Sequence, residues 1–145
     1  MFADLLRRLT RPAAPLSDLD QRLALAALLV RVARSDGEFG DDEAQRIDRL
    51  LAERYGLSPF EAVRLRADAE TLESEAPDTV RFTRAIKDAV PYEEREGVIE
   101  SLWAVALADG VRDHEEDAFM RLVANLLGVT DRDSALARQR VEARG

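Results

Sequence analysis

Residues 29–43 read LVRVARSDGEFGDDE, and residues 102–116 read LWAVALADGVRDHEE. Each stretch carries an apolar helical stripe into an Asp-Gly pair and then into acids that open a second helix. Before the first pair, Leu25, Leu28, Leu29 and Val32 recur at helical spacing. Before the second, Val98, Ile99, Leu102, Trp103 and Ala106 do the same. Gly37 and Gly110 are natural helix stops.

The two stretches match in register. Leu29-Val30 corresponds to Leu102-Trp103, Ala33 to Ala106 and Asp36-Gly37 to Asp109-Gly110, all 73 residues apart. Beyond the loop the offset is 72: Ile47 falls on Phe119, Leu50-Leu51 on Leu122-Val123, Gly56-Leu57 on Gly128-Val129 and Ser58 on Thr130. Glu43 falls on Glu115. A one-residue deletion inside the second loop explains the change. Two copies are too few for a solenoid, which needs about three. The expectation is therefore an all-α, compact bundle of about seven or eight helices with an internal pseudo-twofold duplication.

The flanking sequence supplies the remaining helices. Ser17 and Asp20 suggest a capping box for the first, from about Asp18 to Arg34. A second runs from about Asp41 to Tyr55, with Ile47, Leu50 and Leu51 inward. Ser58-Pro59-Phe60-Glu61 opens a third with a cap, a first-turn proline and a capping-box glutamate. Its acidic tail, Glu70 to Glu75, is expected to fray. Pro77 and Asp78 open a fourth, with Val80, Ala85, Ile86 and Ala89 to pack, and Pro91 breaks it. Further helices are expected over Tyr92–Ala108, about Asp113–Leu127, closed by Gly128 as Gly56 closes the second, and Thr130 onward. The domain reading is residues 1–16 as an N-terminal short helix or linker and 17–145 as one helical domain. Within it, repeat 1 spans about 18–73, a connector helix about 77–90 and repeat 2 about 91–144.

Composition bounds the chemistry. At 145 residues and 46% hydrophobic content, the chain can bury one core, chiefly of aliphatic side chains because aromatics make up only 6%. It has no cysteine, so disulfides and thiolate metal sites are excluded, and a cytoplasmic location is the default expectation. No apolar run approaches the roughly 20 residues that span a bilayer, so the chain is not itself expected to be transmembrane. Phe2, Leu5, Leu6 and Leu9, beside Arg7 and Arg8, suit a short helix packed on the domain, the alternative being a segment that lies on a membrane surface or on a partner. A net charge of −8 argues against nucleic acid as a partner.

The charge is not spread evenly. Residues 36–43 hold five acids and no base, and residues 109–117 hold five acids and Arg112. Those segments carry −5 and −4, so the rest of the chain is near neutral. Asp41, Asp42 and Glu43, and Asp113, Glu115 and Glu116, fall in first helical turns, where the helix dipole favours acids by roughly 0.3–1 kcal/mol each. That does not account for Asp36 and Asp109, which end helices, where a negative charge is unfavourable. Either they are turn residues, or they converge with the acids across the loop. A converged cluster repels itself unless a cation neutralises it, and an all-oxygen set suits Ca²⁺ or Mg²⁺. The loops are not EF-hands, because the twelfth positions are Ile47 and Met120 instead of glutamate.

Other constellations are bland. His114, the single histidine, is read as a solvated helix-start residue, and Trp103, Phe119 and Met120 as core. Arg31 and Arg34 are expected to pair with the first acidic loop. No Gly-rich phosphate loop or nucleophile–base pair appears.

The stretches VARSDGEFGDDE and VALADGVRDHEEDAFMRLVANLLGV, with RFTRAIKDAVPYEEREGVIESLWAVALADG between and overlapping them, resemble the repeated motifs of the TerB-like family of tellurite resistance proteins. The resemblance covers about residues 17–145. It implies an all-α fold with an internal duplication and an acidic cluster proposed to bind a divalent metal, here Asp36, Glu43, Asp109 and Glu116 with Glu115 close by. It also implies a non-enzymatic module in tellurite and stress responses, acting through protein partners, some of them membrane-associated. The sequence departs from the family pattern at Gly40 and Val111, where acids are common. The alternatives are a metal-dependent hydrolase using the same carboxylates and an interaction scaffold with no metal.

Overall fold

The computed structural model describes residues 18–35, 39–75, 79–108 and 114–144; side chains are described from residue 21 in the first helix and from residue 118 in the sixth. Seven helices lie among these residues: α1 (Asp18–Arg34), α2 (Asp41–Tyr55), α3 (Pro59–Glu75), α4 (Val80–Ala89), α5 (Tyr92–Ala106), α6 (His114–Leu126) and α7 (Asp131–Arg144). No strand occurs among the described residues.

Helix α1 is the axis of the molecule. Leu23 to Val30, Val32 and Ala33 are all buried, so the helix is apolar around its whole circumference. A helix of that kind must be covered on every side. It is packed against α2, α3, α4, α5 and α6. Alanines at 24, 26, 27 and 33 let neighbouring helices approach closely, while Leu25, Leu28 and Leu29 fill the space between them. Helices α3 and α5 lie along α1, α2 bridges to α3, and α7 covers α5.

Helix ends follow local chemistry. Glu61 N–H donates to Ser58 Oγ at 3.2 Å, and Ser58 N–H donates to Glu61 Oε1 at 2.9 Å, which completes the expected capping box. The bond from Ser58 N–H, with the Ser58 hydroxyl beside it, holds the Glu61 carboxyl below the ordinary glutamate value of 4.5. A lowered folded value means that the contribution is present above the unfolded value and is lost as pH falls through the folded one. The stability gap between the wild type and Glu61→Gln is therefore expected to close below pH 4.5. Urea unfolding at pH 7 and pH 3 would show it, and a gap that widens on acidification would contradict it.

Gly56 ends α2 with φ +64°, and Gly128 follows α6 with φ +75°. Leu57 N–H donates to Ala52 O at 3.0 Å, and Val129 N–H donates to Ala124 O at 2.9 Å. Both ends thus carry the six-to-one bond of a left-handed helix stop. Beyond each, the next helix has a hydroxyl cap: Ser58 for α3, and Thr130 Oγ1, which accepts from Asp133 N–H at 3.1 Å, for α7. These paired features stand 72 residues apart, the offset that the sequence shows after the loops.

Trp103, Met120 and Ile47 are buried and Leu50 and Phe119 are partly buried, in line with their assignment to the core. Trp103 Nε1–H donates to Ser134 Oγ at 3.1 Å, so the indole is satisfied where α5 meets α7. Two expectations are corrected. Helix α4 turns Phe82, Thr83, Ala85 and Ile86 inward and leaves Val80 exposed. The stretch from Glu70 to Glu75 is not a frayed end, because it lies within α3 and Glu73 is buried. The first-helix reading for Phe2 to Leu9 lies outside the described residues.

Candidate functional site

The first acidic loop leaves α1 at Ser35 and enters α2 at Asp41. Ser35 Oγ donates to Val32 O at 2.6 Å, and Ser35 N–H donates to Arg31 O, which closes α1. At the other side, Ala44 N–H donates to Gly40 O at 3.1 Å to start α2. Gly40 N–H donates to Glu43 Oε2 at 3.0 Å. Glu43 therefore spends one carboxylate oxygen as the partner of the residue that precedes its own helix. Its Oε1 takes no hydrogen bond from the described residues. Asp41 and Asp42 are exposed in the same turn. Phe39, Gly40, Asp41, Asp42 and Glu43 line a shallow depression of about 510 Å³ on the surface.

Of the five residues expected to hold a cation, the structure thus places Glu43 at the mouth of this depression. Asp36 and Asp109 lie outside the described residues. Glu115 and Glu116 belong to the first turn of α6, but their side chains lie outside the described set. The same holds for His114. Among the described residues no group of three or more His, Asp or Glu side chains is placed to hold a metal ion.

Among the described residues, the arginines beside the loop pair with α3 and the residue before α4. Arg31 Nε donates to Glu73 Oε2 at 3.0 Å, Arg31 Nη2 to Glu73 O at 3.0 Å and Arg31 Nη1 to Thr79 Oγ1 at 3.3 Å. Arg34 lies 3.7 Å from Glu70 Oε1 and 3.4 Å from Glu73 Oε1, the second being an ionic contact without hydrogen-bond geometry. Its guanidinium also stands over the Phe39 ring, 5.2 Å from the centroid. The network continues outward. Arg66 grips Asp48 through both carboxylate oxygens, at 2.9 and 3.2 Å, and donates to Glu70 at 2.6 Å. A bidentate fork of this kind is among the stronger side-chain pairings, and it raises the already high pKa of Arg66 further.

This chain of charges runs Asp48, Arg66, Glu70, Arg34, Glu73, Arg31. It ties α2 and α3 to the end of α1 from which the loop departs. The sequence expectation sets Arg31 and Arg34 against the loop; among the described residues their carboxylate partners are Glu70 and Glu73. The signal that points to them is the acid pair three residues apart on α3, which presents two carboxylates to one neighbouring helix.

No helix among the described residues is long and apolar enough to cross a membrane. No curated protein and no solved structure matches the chain. The family model described as tellurite resistance protein TerB matches residues 22–139, from within α1 into α7 and through both acidic loops. With seven helices among the described residues, five of them packed against α1, and that match across most of its length, the chain belongs to the TerB family.

Proposed function

We propose that the chain is a duplicated, non-enzymatic, cytoplasmic binding module whose two acidic loops together hold one hard divalent cation, Ca²⁺ or Mg²⁺, and present it to a protein partner. Asp36 and Glu43 would supply the first loop's ligands, and Asp109 and Glu116, with Glu115 beside them, the second's. A stress role, including tellurite response, and a membrane-associated partner belong to the same reading. The observation that carries it is the concentration of carboxylates: five in residues 36–43 and five in 109–117, in a chain whose remainder is almost neutral.

Two features beside the first loop support this reading. Glu43 keeps one carboxylate oxygen clear of hydrogen bonds from the described residues, beside an open depression lined by Asp41 and Asp42. Arg34 is held over Phe39 and against Glu70 and Glu73. When bound, the cation would neutralise the cluster and hold the two loops in a fixed arrangement.

One observation favours a competing reading as a scaffold without metal: Glu43 already serves as a helix-start partner for Gly40. Thermal unfolding separates the two. A cation at a hundredfold excess over its dissociation constant stabilises the fold by about 2.7 kcal/mol. For a domain of this size that corresponds to a melting temperature about 10 °C higher than in chelator. Equal melting temperatures in Ca²⁺, Mg²⁺, Mn²⁺ and chelator would reject the cation and leave the scaffold.

A further inference from the structure

Helix α3 has a face that nothing among the described residues covers. Its inner side buries Ala62, Leu65, Ala69, Leu72 and Glu73 against α1 and α2. Its outer side presents Phe60, Val63, Ala67, Thr71 and Ser74, all exposed and all uncharged. In a chain that is 34% charged, an uncharged stripe of that length is unusual. Phe60 is 76% exposed and Val63 44%. The two side chains stand one helical turn apart, so they share one exposed apolar spot.

The first described residue of the chain lies toward one end of this helix. Helices α1 and α3 run parallel, because Arg31 pairs with Glu73 while Arg22 lies beside Tyr55, 4.9 Å from its ring centroid, and close enough to Glu61 to act on its charge. The start of α1 therefore sits at the Phe60 end of α3. Residues 1–17 precede it and carry Phe2, Leu5, Leu6 and Leu9 at the spacing of one helix face. Residues 10–17 can extend about 26 Å. Passing half-way round a helix about 11 Å across takes about 17 Å, so Phe2 to Leu9 can reach the outer face. Pro12 and Pro15 disfavour helix in that connection.

Charge agrees with reach. Residues 1–17 hold three arginines and one aspartate, whereas α3, apart from the Glu70, Glu73 and Arg66 of the inner network, holds Glu61, Asp68 and Glu75 against Arg64. The exposed Val80 lies farther off: it opens α4, which meets α1 at Arg31 through Thr79 and Phe82, about 20 Å further along α1.

We propose that residues 2–9 of the chain dock on the outer face of α3, with Phe2, Leu5, Leu6 and Leu9 covering Phe60 and Val63. The absence of cysteine provides a direct test. Ala67→Cys places one thiol on the face, and Glu93→Cys places one on the exposed start of α5 as a reference. Both are labelled with a maleimide in the full chain. A segment docked nine-tenths of the time slows labelling of the first about tenfold relative to the second. Adding Leu5→Asp, Leu6→Asp and Leu9→Asp is expected to abolish the difference. Equal labelling rates in the otherwise unchanged chain would overturn the proposal, with no need of the triple variant. Slow labelling that disappears on dilution would also overturn it, by assigning the face to a second copy.

Discussion

Replacing Phe82 with alanine is expected to destabilise the protein by about 4 kcal/mol, the largest effect expected of any single truncation in the core. Phe82 is fully buried on α4 beneath α1. Removing its ring takes away apolar burial and leaves a cavity among helices that α1 holds on all sides, so the walls have little room to collapse. The ring also lies under the Arg31 guanidinium, 5.3 Å from centroid to Cζ, and that contact goes with it. Domains of this size have about 5–15 kcal/mol in all, so the variant would be close to marginal. Thermal unfolding followed by circular dichroism should show a melting temperature lowered by more than about 10 °C. A shift below about 3 °C would mean that α4 is a loosely attached connector.

The second large effect concerns Glu73. Its carboxylate is buried between Arg31 and Arg34, which are held near one another by it. Glu73→Ala leaves positive charge at a partly desolvated site, and breaking such a pair from one side costs about 3 kcal/mol. Glu73→Leu combined with Arg31→Met removes both charges and is expected to recover at least half of that loss, because well-packed apolar replacements of buried pairs are often neutral. Urea denaturation of the two variants measures both quantities. Should the double variant be as unstable as the sum of its single changes, the two side chains would be energetically uncoupled, and the loss on removing Glu73 would not come from the Arg31 charge.

How far the sequence predicts this molecule follows the range of each interaction. The Ser58–Glu61 box and the Gly56 and Gly128 stops are settled within a few residues, and each appears where expected. The stripe of Leu25, Leu28, Leu29 and Val32 marks one apolar face of α1, whereas the burial of that helix on every side is seen only once its neighbours are in place. Glu73 escapes such reading because its acidic surroundings resemble a solvated tail, and its partner Arg31 lies 42 residues away. Val80 and Phe82 trade places because α4 has only ten residues, too few for its periodicity to choose a face alone. At the candidate site, position predicts that Glu43 stands in a first helical turn, and its bond to Gly40 is the local consequence. The relation between the two loops depends on long-range packing, which no spacing encodes.

The central claim is that the loops act as a pair, and calorimetric titration of Ca²⁺, Mg²⁺ and Mn²⁺ into the wild type, Asp36→Asn and Asp109→Asn tests it most directly. A shared site predicts one ion per chain in the wild type and at least tenfold weaker binding in each single variant, a loss of about 1.4 kcal/mol from either side. No binding heat in the wild type, or two ions per chain with each variant losing only one, would contradict it.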